Sequence, residues 1–248
     1  VVNEEEVNVV YSAGNTIKAV SKKSYSLSQK ELSVNATLNE IPHLTKPILN
    51  TKTLYLFTNL GNCHAVKVYD LPMAKFKDKG EMLTRIVKNY ENNERVVAML
   101  DIDDNINEKI VMVTKMGYLK ISNASEYLLS KQSINAIKLN PGDEVVMCNF
   151  NHEQKDLSIF TKMGLAIAFS KKDVSPIGRV AMGVKGISLN ENDFVVNAHQ
   201  VENTGGFAVF TNNGNAKVIS VAEVPFLTRA RKGSRIIPND KTLTVVNV

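Results

Sequence analysis

The chain has 248 residues, 44% hydrophobic and 22% charged, with 30 Lys and Arg against 25 Asp and Glu for a net charge of +5. That is enough chain for one large or two small domains with a proper core, and the balance is that of an ordinary globular protein. No apolar run approaches the ~18–20 residues that a membrane-spanning helix requires.

The N-terminal stretch VVNEEEV is acidic, lacks an initiator Met and has no secretory signature, so it reads as part of a longer polypeptide. VYSAGNT (10–16) then gives two apolar runs about a Gly-Asn turn, followed by a polar stretch over residues 25–38. The same unit returns as LFTNLGN (56–62), VTKMGYLK (113–120), FTKMGLAI (160–167) and VFTNNGN (209–215). Their turn glycines are Gly14, Gly61, Gly117, Gly164 and Gly214, spaced 47, 56, 47 and 50 residues apart. A second landmark recurs as ENNERVV (91–97), LNPGDEVV (139–146) and LNENDFVV (189–196).

Each copy joins β-branched and aromatic runs through a turn in which Gly supplies a positive φ, the signature of a tight hairpin. Helical periodicity is scarce, so each unit reads as about four strands. Five such units predict an all-β, propeller-like array, with repeats at roughly 1–50, 51–107, 108–153, 154–203 and 204–248 in one domain. A single twisted sheet cannot bury both faces, so neighbouring units must stack. Residues 101–108 (DIDDNINE) read as the insertion that lengthens the second repeat, and they lack the Gly and the terminal Glu spacing of a calcium loop. Met112, Met116, Met147 and Met163 read as core filler, and Cys63 and Cys148 as reduced core thiols.

No catalytic, metal or cofactor constellation is visible. His43, His64, His152 and His199 are scattered without ligand spacing, and no nucleophile elbow or phosphate-binding loop appears. The cations are more informative. Residues 51–100 hold eight Lys or Arg against five acidic groups, and residues 201–248 hold six against three. Loop clusters occur at Lys75 and Lys77 about Phe76, at Lys171 and Lys172 with Arg179 and Lys185, and at Arg229, Arg231, Lys232 and Arg235. Lys22 and Lys23 form a weaker pair in the repeat that also carries Glu4, Glu5 and Glu6. Such groups can reach phosphates without touching bases, or they can simply be a solvated rim. Phe76 is either a stacking residue or a core anchor, and Gly233 could admit a phosphate or serve a turn.

The T-x-x-G-x-x-K unit, GVKGI at 183–187 with Leu189 and Asp193, LPMAKFKDKGEML (71–83) and TRARKGSRII (228–237) together resemble the C-terminal domain of the A subunit of bacterial type IIA topoisomerases. The likeness spans essentially the whole chain and is closer to topoisomerase IV than to gyrase. It implies a five-bladed β-pinwheel, in which a strand of each blade is exchanged with its neighbour and a basic rim binds and bends duplex DNA. It also implies that catalysis sits in an N-terminal part of the protein outside this chain. The partners implied are double-stranded DNA, that catalytic part and an ATPase B-type subunit, in the bacterial cytoplasm at the nucleoid. The parent would be an ATP-dependent type II topoisomerase that decatenates and relaxes DNA.

Gyrases carry an Arg- and Gly-rich box after the first repeat, and residues 25–38 have neither the arginine pair nor the glycines. Lys18, Lys120 and Lys217 match the family's strand cations, but Ala19, Ile121 and Val218 follow them, and repeat four reads Ala168-Phe169. The alternatives are a gyrase domain with a degenerate box and a protein-binding propeller scaffold.

Overall fold

The computed structural model describes residues 2–28, 42–128, 130–238 and 240–248. Most of the 25–38 stretch, from residue 29 on, lies outside the described residues.

The recurring Thr-Lys-Met-Gly is a turn in which the first and last residues carry the geometry. The Thr114 carbonyl accepts the Gly117 N–H at 2.9 Å, and its Oγ1 accepts the Tyr118 N–H at 3.1 Å. Gly117 closes the turn at φ +91°, a left-handed conformation that suits Gly. Thr161 does the same for Gly164 and Leu165 at 3.1 and 3.2 Å. Thr58 and Thr211 accept from Gly61 and Gly214, both also at positive φ. In the first copy Ser12 accepts from Asn15, and Asn15, not Gly14, takes the left-handed position at φ +64°. Asn tolerates that region because its short amide bonds locally.

The second landmark braces these turns. Asp143 Oδ1 accepts the Met116 N–H at 2.9 Å, and Asp193 Oδ1 accepts the Met163 N–H at 3.0 Å. Met116 and Met163 therefore sit at turn tips, 40% and 36% exposed, and only Met112 of the four methionines expected in the core is fully buried.

The strands are β1 (Glu6–Ser12), β2 (Thr16–Ser21), β3 (Pro42–Leu49), β4 (Thr53–Thr58), β5 (Asn62–Lys67), β6 (Glu81–Met82), β7 (Val96–Leu100), β8 (Lys109–Thr114), β9 (Tyr118–Asn123) and β10 (Ser133–Asn135). They continue with β11 (Val145–Phe150), β12 (Asp156–Thr161), β13 (Leu165–Phe169), β14 (Val184–Lys185), β15 (Val195–Val201), β16 (Gly206–Thr211), β17 (Ala216–Ser220), β18 (Ser234–Arg235) and β19 (Thr242–Asn247). Among the described residues two short α-helices, α1 (Lys22–Ser28) and α2 (Leu83–Ile86), interrupt the pattern.

These strands form five antiparallel sheets, ordered β3-β1-β2-β6, β10-β5-β4-β7, β11-β8-β9-β14, β15-β12-β13-β18 and β17-β16-β19. In the first four, three strands come from one repeat, and the short fourth strand comes from the repeat that follows. That is the strand exchange of a pinwheel, and the fold is an all-β array of five blades. The fifth sheet has three strands among the described residues.

The chain divides into two compact units, residues 1–106 with 124–136, and residues 107–123 with 137–248. The first packs Val7, Val9, Leu54, Leu56 and Leu83, none with measurable exposure. The second packs Val111, Val113, Ile159 and Ile167 in one cluster, and Phe160, Phe207 and Val209 in another. Each such side chain contributes about 1.5–3 kcal/mol by leaving water. Residues 101–108 form a surface turn in which Lys52 Nζ bonds Asp101 at 2.8 Å and also Asp104, so a lysine already answers the acidic cluster.

The exchanged segments approach the blades closely. A Cβ on Gly183 would lie 2.4 Å from the Leu119 carbonyl oxygen, and Gly183 sits at φ +100°. Gly183→Ala is therefore expected to destabilise the second unit by about 1–3 kcal/mol, read as a fall in thermal midpoint.

Candidate nucleic-acid interface

Each exchanged strand ends a loop that arches over the second strand of the preceding hairpin. Arch one (71–82) crosses β2. Ala19 N–H donates to the Pro72 carbonyl and Ala74 N–H to the Ala19 carbonyl, while on the other side Ile17 pairs with Glu81. Arch three (175–186) crosses β9, fastened by Ile177 N–H to the Ile121 carbonyl and by the Leu119–Val184 pair. Arch four (225–237) crosses β13, where Leu227 N–H donates to the Ala168 carbonyl and Ala166 pairs with Ser234. Arch two (127–136) crosses β5 through Ala65 N–H to the Gln132 carbonyl and the His64–Ser133 pair.

The residue beneath each of the four arches occupies one register position, which Lys217 shares in the fifth sheet without an arch over it among the described residues. Lys18 pairs with Val10, His64 with Leu56, Lys120 with Met112, Ile167 with Ile159 and Lys217 with Val209. Repeat four thus has Ile167-Ala168 at the place expected to read Ala168-Phe169.

Three expected surface cations are corrected by this geometry. Lys18 is 7% exposed and Lys120 fully buried. The Lys18 ammonium donates to the carbonyls of Phe76 and Asp78, and that of Lys120 to the carbonyl of Arg179. Lys171 is 5% exposed, and its Nζ donates to Asn151 Oδ1, the His152 carbonyl and Gln200 Oε1 at 2.7, 2.9 and 2.5 Å. Burial pulls the Lys171 ammonium down to about 8. An ammonium enclosed by protein oxygens has no face left for phosphate.

The remaining expected cations are exposed or half-buried. Lys75 and Lys77 stand exposed on arch one, and so does Lys79, which no cluster in the sequence singles out. Arch three carries half-buried Arg179 and exposed Lys185, and arch four carries half-buried Arg229 with exposed Arg231, Lys232 and Arg235. Arg229 also has a structural task. Its Nη1 donates to the Lys185 carbonyl at 2.7 Å, beside Ala230 N–H to Gly186 and Ser188 N–H to Arg231, which lays arch four against arch three. Lys172, Lys217, Lys22 and Lys23 are exposed. Lys217 donates to the Ile236 carbonyl at 3.2 Å, and Lys22 pairs with Glu6 at 3.2 Å.

Phe76 is an anchor: its ring meets Tyr25 edge-on at 5.8 Å, and Lys18 Nζ lies 5.4 Å from the ring centroid. Gly233 serves packing, since a Cβ there would lie 2.4 Å from the Ala166 carbonyl oxygen.

The first unit holds a polar network that sequence pattern alone does not reveal. His64 Nε2–H donates to Glu94 Oε1 at 2.7 Å, joined by Thr58 at 2.6 Å and Asn62 at 3.0 Å, while the Glu91 N–H donates to Oε2. Burial alone raises a carboxyl's pKa, but these donors outweigh it and hold Glu94 down at about 2. Asn15 ties in Tyr11, Tyr90 and the Glu94 carbonyl. His64 and Glu94 are both shut off from solvent, so the pair is structural. The signal for it is the ENNERVV copy of the landmark, which places Glu94 where Asp143 and Asp193 fall. Among the described residues no group of three or more His, Cys, Asp or Glu could hold a metal, and no helix is long and apolar enough to cross a membrane.

The family model for the DNA gyrase C-terminal domain, a β-propeller, matches residues 52–103, 108–147, 155–202 and 207–246, well over half the chain. The A subunit of DNA gyrase from Chlamydia muridarum (strain MoPn / Nigg) is 32% identical over 189 residues, covering 74% of this chain and 23% of its own length. The A subunit of DNA topoisomerase 4 from Streptococcus pyogenes serotype M3 is 29% identical over 244 residues, covering 96% of this chain and 29% of its own. This chain therefore spans less than a third of the length of these relatives. A crystal structure of the C-terminal domain of DNA topoisomerase IV superposes with a TM-score of 0.87 at 26% identity, over all of this chain and 79% of that one. With the five blades, the exchanged strands and the matched repeats in agreement, the chain belongs to the family of C-terminal β-propeller domains of the gyrase and topoisomerase IV A subunits.

Proposed function

We propose that the chain binds duplex DNA through its phosphates, without reading sequence, and bends it to present segments to a catalytic core outside this chain. The carrying observation is that three arches, each the same structural element, bear exposed Lys and Arg, as a phosphate-following surface requires. The parent is then an ATP-dependent type II topoisomerase whose A subunit works with an ATPase B-type subunit. The missing Arg- and Gly-rich box and the likeness to the topoisomerase IV domain support a decatenating and relaxing enzyme of that type. The 32% identity to a gyrase relative supports the second reading, a gyrase domain with a degenerate box.

In gel-shift titrations, duplexes of mixed and scrambled sequence are expected to bind equally, and the purified chain is expected neither to cleave nor to relax supercoiled plasmid. A preference for one sequence, or relaxation by the chain alone, would overturn the proposal.

A further inference from the structure

We propose that Lys18 and Lys120 are positioning residues, whose buried ammonium groups fix the apices of arches one and three and so set where those arches present their surface cations. The inference rests on the reading of the arches as the DNA-facing elements. A buried ammonium is costly unless oxygen acceptors surround it, and charge-assisted bonds strengthen where water is excluded. Here the acceptors are backbone carbonyls 58 to 60 residues away in sequence, at the tops of the two arches. Each arch is fastened at both shoulders by strand-type pairing to the residues flanking the lysine. Between the shoulders the chain turns on itself, through Asp78 N–H to the Lys75 carbonyl in arch one and Ala181 N–H to the Gly178 carbonyl in arch three. The lysine ties that turn to the blade.

Repeat four supports the same logic by a different route. Ile167 replaces the lysine and offers no donor, and arch four is instead held from the side by arch three through Arg229, Ala230 and Arg231. The cations at stake are Lys75, Lys77 and Lys79 on arch one, and Arg179 and Lys185 on arch three.

The test uses Lys18→Met and Lys120→Met, singly and together, in the whole chain, since Met keeps length and apolar volume but removes the donors. Backbone amide exchange over residues 76–79 and 178–182 is read alongside affinity for a mixed-sequence duplex at several salt concentrations. The far-UV spectrum should persist, apex exchange should quicken by about tenfold or more, and affinity should fall roughly three- to tenfold per substitution. The slope of log affinity against log salt should stay within about half a unit, because the phosphate-contacting cations all remain. Faster apex exchange with unchanged affinity would overturn the proposal, for it would make the lysines structural only. Unchanged exchange would overturn it as well. A wild-type chain with no duplex affinity would sink the functional reading separately, leaving the exchange rates to judge the clamp. If the Met variants fail to fold, Lys120→Gln is measured instead: its shorter, neutral side chain gives up the charge-assisted bond to the Arg179 carbonyl, so faster apex exchange and weaker affinity are expected, and no change in either would overturn the proposal.

Discussion

Glu94→Ala should destabilise the first unit by about 3–5 kcal/mol, because it strips a buried donor cluster of its one anionic acceptor. His64, Thr58 and Asn62 converge on Oε1 and the Glu91 N–H on Oε2, and His64 and Thr58, like Glu94 itself, have at most 1% exposure and no water to turn to. The pH dependence follows from the same bonds. With the folded carboxyl at about 2 against an ordinary value of 4.5, the folded state binds the proton more weakly than the unfolded chain. The stabilisation is present above the unfolded value and is lost as pH falls from 4.5 towards 2, amounting to about 3 kcal/mol at about 1.4 kcal/mol per pH unit. Glu94→Gln should flatten that acid limb while leaving the residue's volume in place. Urea midpoints at neutral and acid pH, followed by far-UV circular dichroism because the chain has no Trp, would show both effects. An unchanged midpoint in Glu94→Ala would mean the network relaxes without its carboxylate.

Reversing Arg231 and Lys232 to Glu should lower affinity for duplex DNA by about 10- to 100-fold at low salt and flatten the salt dependence by about two units, near one per lost phosphate contact. Both side chains are exposed on arch four, so folding should change by no more than about 0.5 kcal/mol each. Arg229 belongs to the same run of sequence, but its guanidinium is spent on the Lys185 carbonyl. Including it would open the contact between arches three and four and mix a structural loss with an electrostatic one. Bending a duplex by tens of degrees costs on the order of 1–6 kcal/mol, offset by contacts spread along the protein. The double variant should therefore bend DNA less, read by energy transfer between labelled duplex ends. Intact affinity and bending would move the DNA to another face of the domain.

The blade count and the hairpins were legible because their causes are local. A Thr and a Gly three residues apart make the turn that both positions require, so the motif recurs wherever the turn does. Asn15 escaped because Asn can stand in for Gly at positive φ, and Gly14 beside it drew the assignment. The buried lysines were not legible. Alternation along a strand puts every second residue outside only where one face is open, and β2 is buried on both, from Thr16 to Val20. The acceptors that make burial of Lys18 tolerable come from a loop some 60 residues on, which no local pattern announces. For the same reason the task of Glu94 was hidden: Asp143 and Asp193 brace turn N–H groups, whereas Glu94 at the same place in its copy gathers the side chains of His64, Thr58 and Asn62.

The most direct measurement of the central claim is the affinity of the unmodified chain for a mixed-sequence duplex across a range of salt concentrations. Neutralisation of about 4–6 phosphates by arch cations predicts a log–log slope of about −4 to −5. A slope near zero would contradict the account, because binding would then owe nothing to the charges that the arches carry.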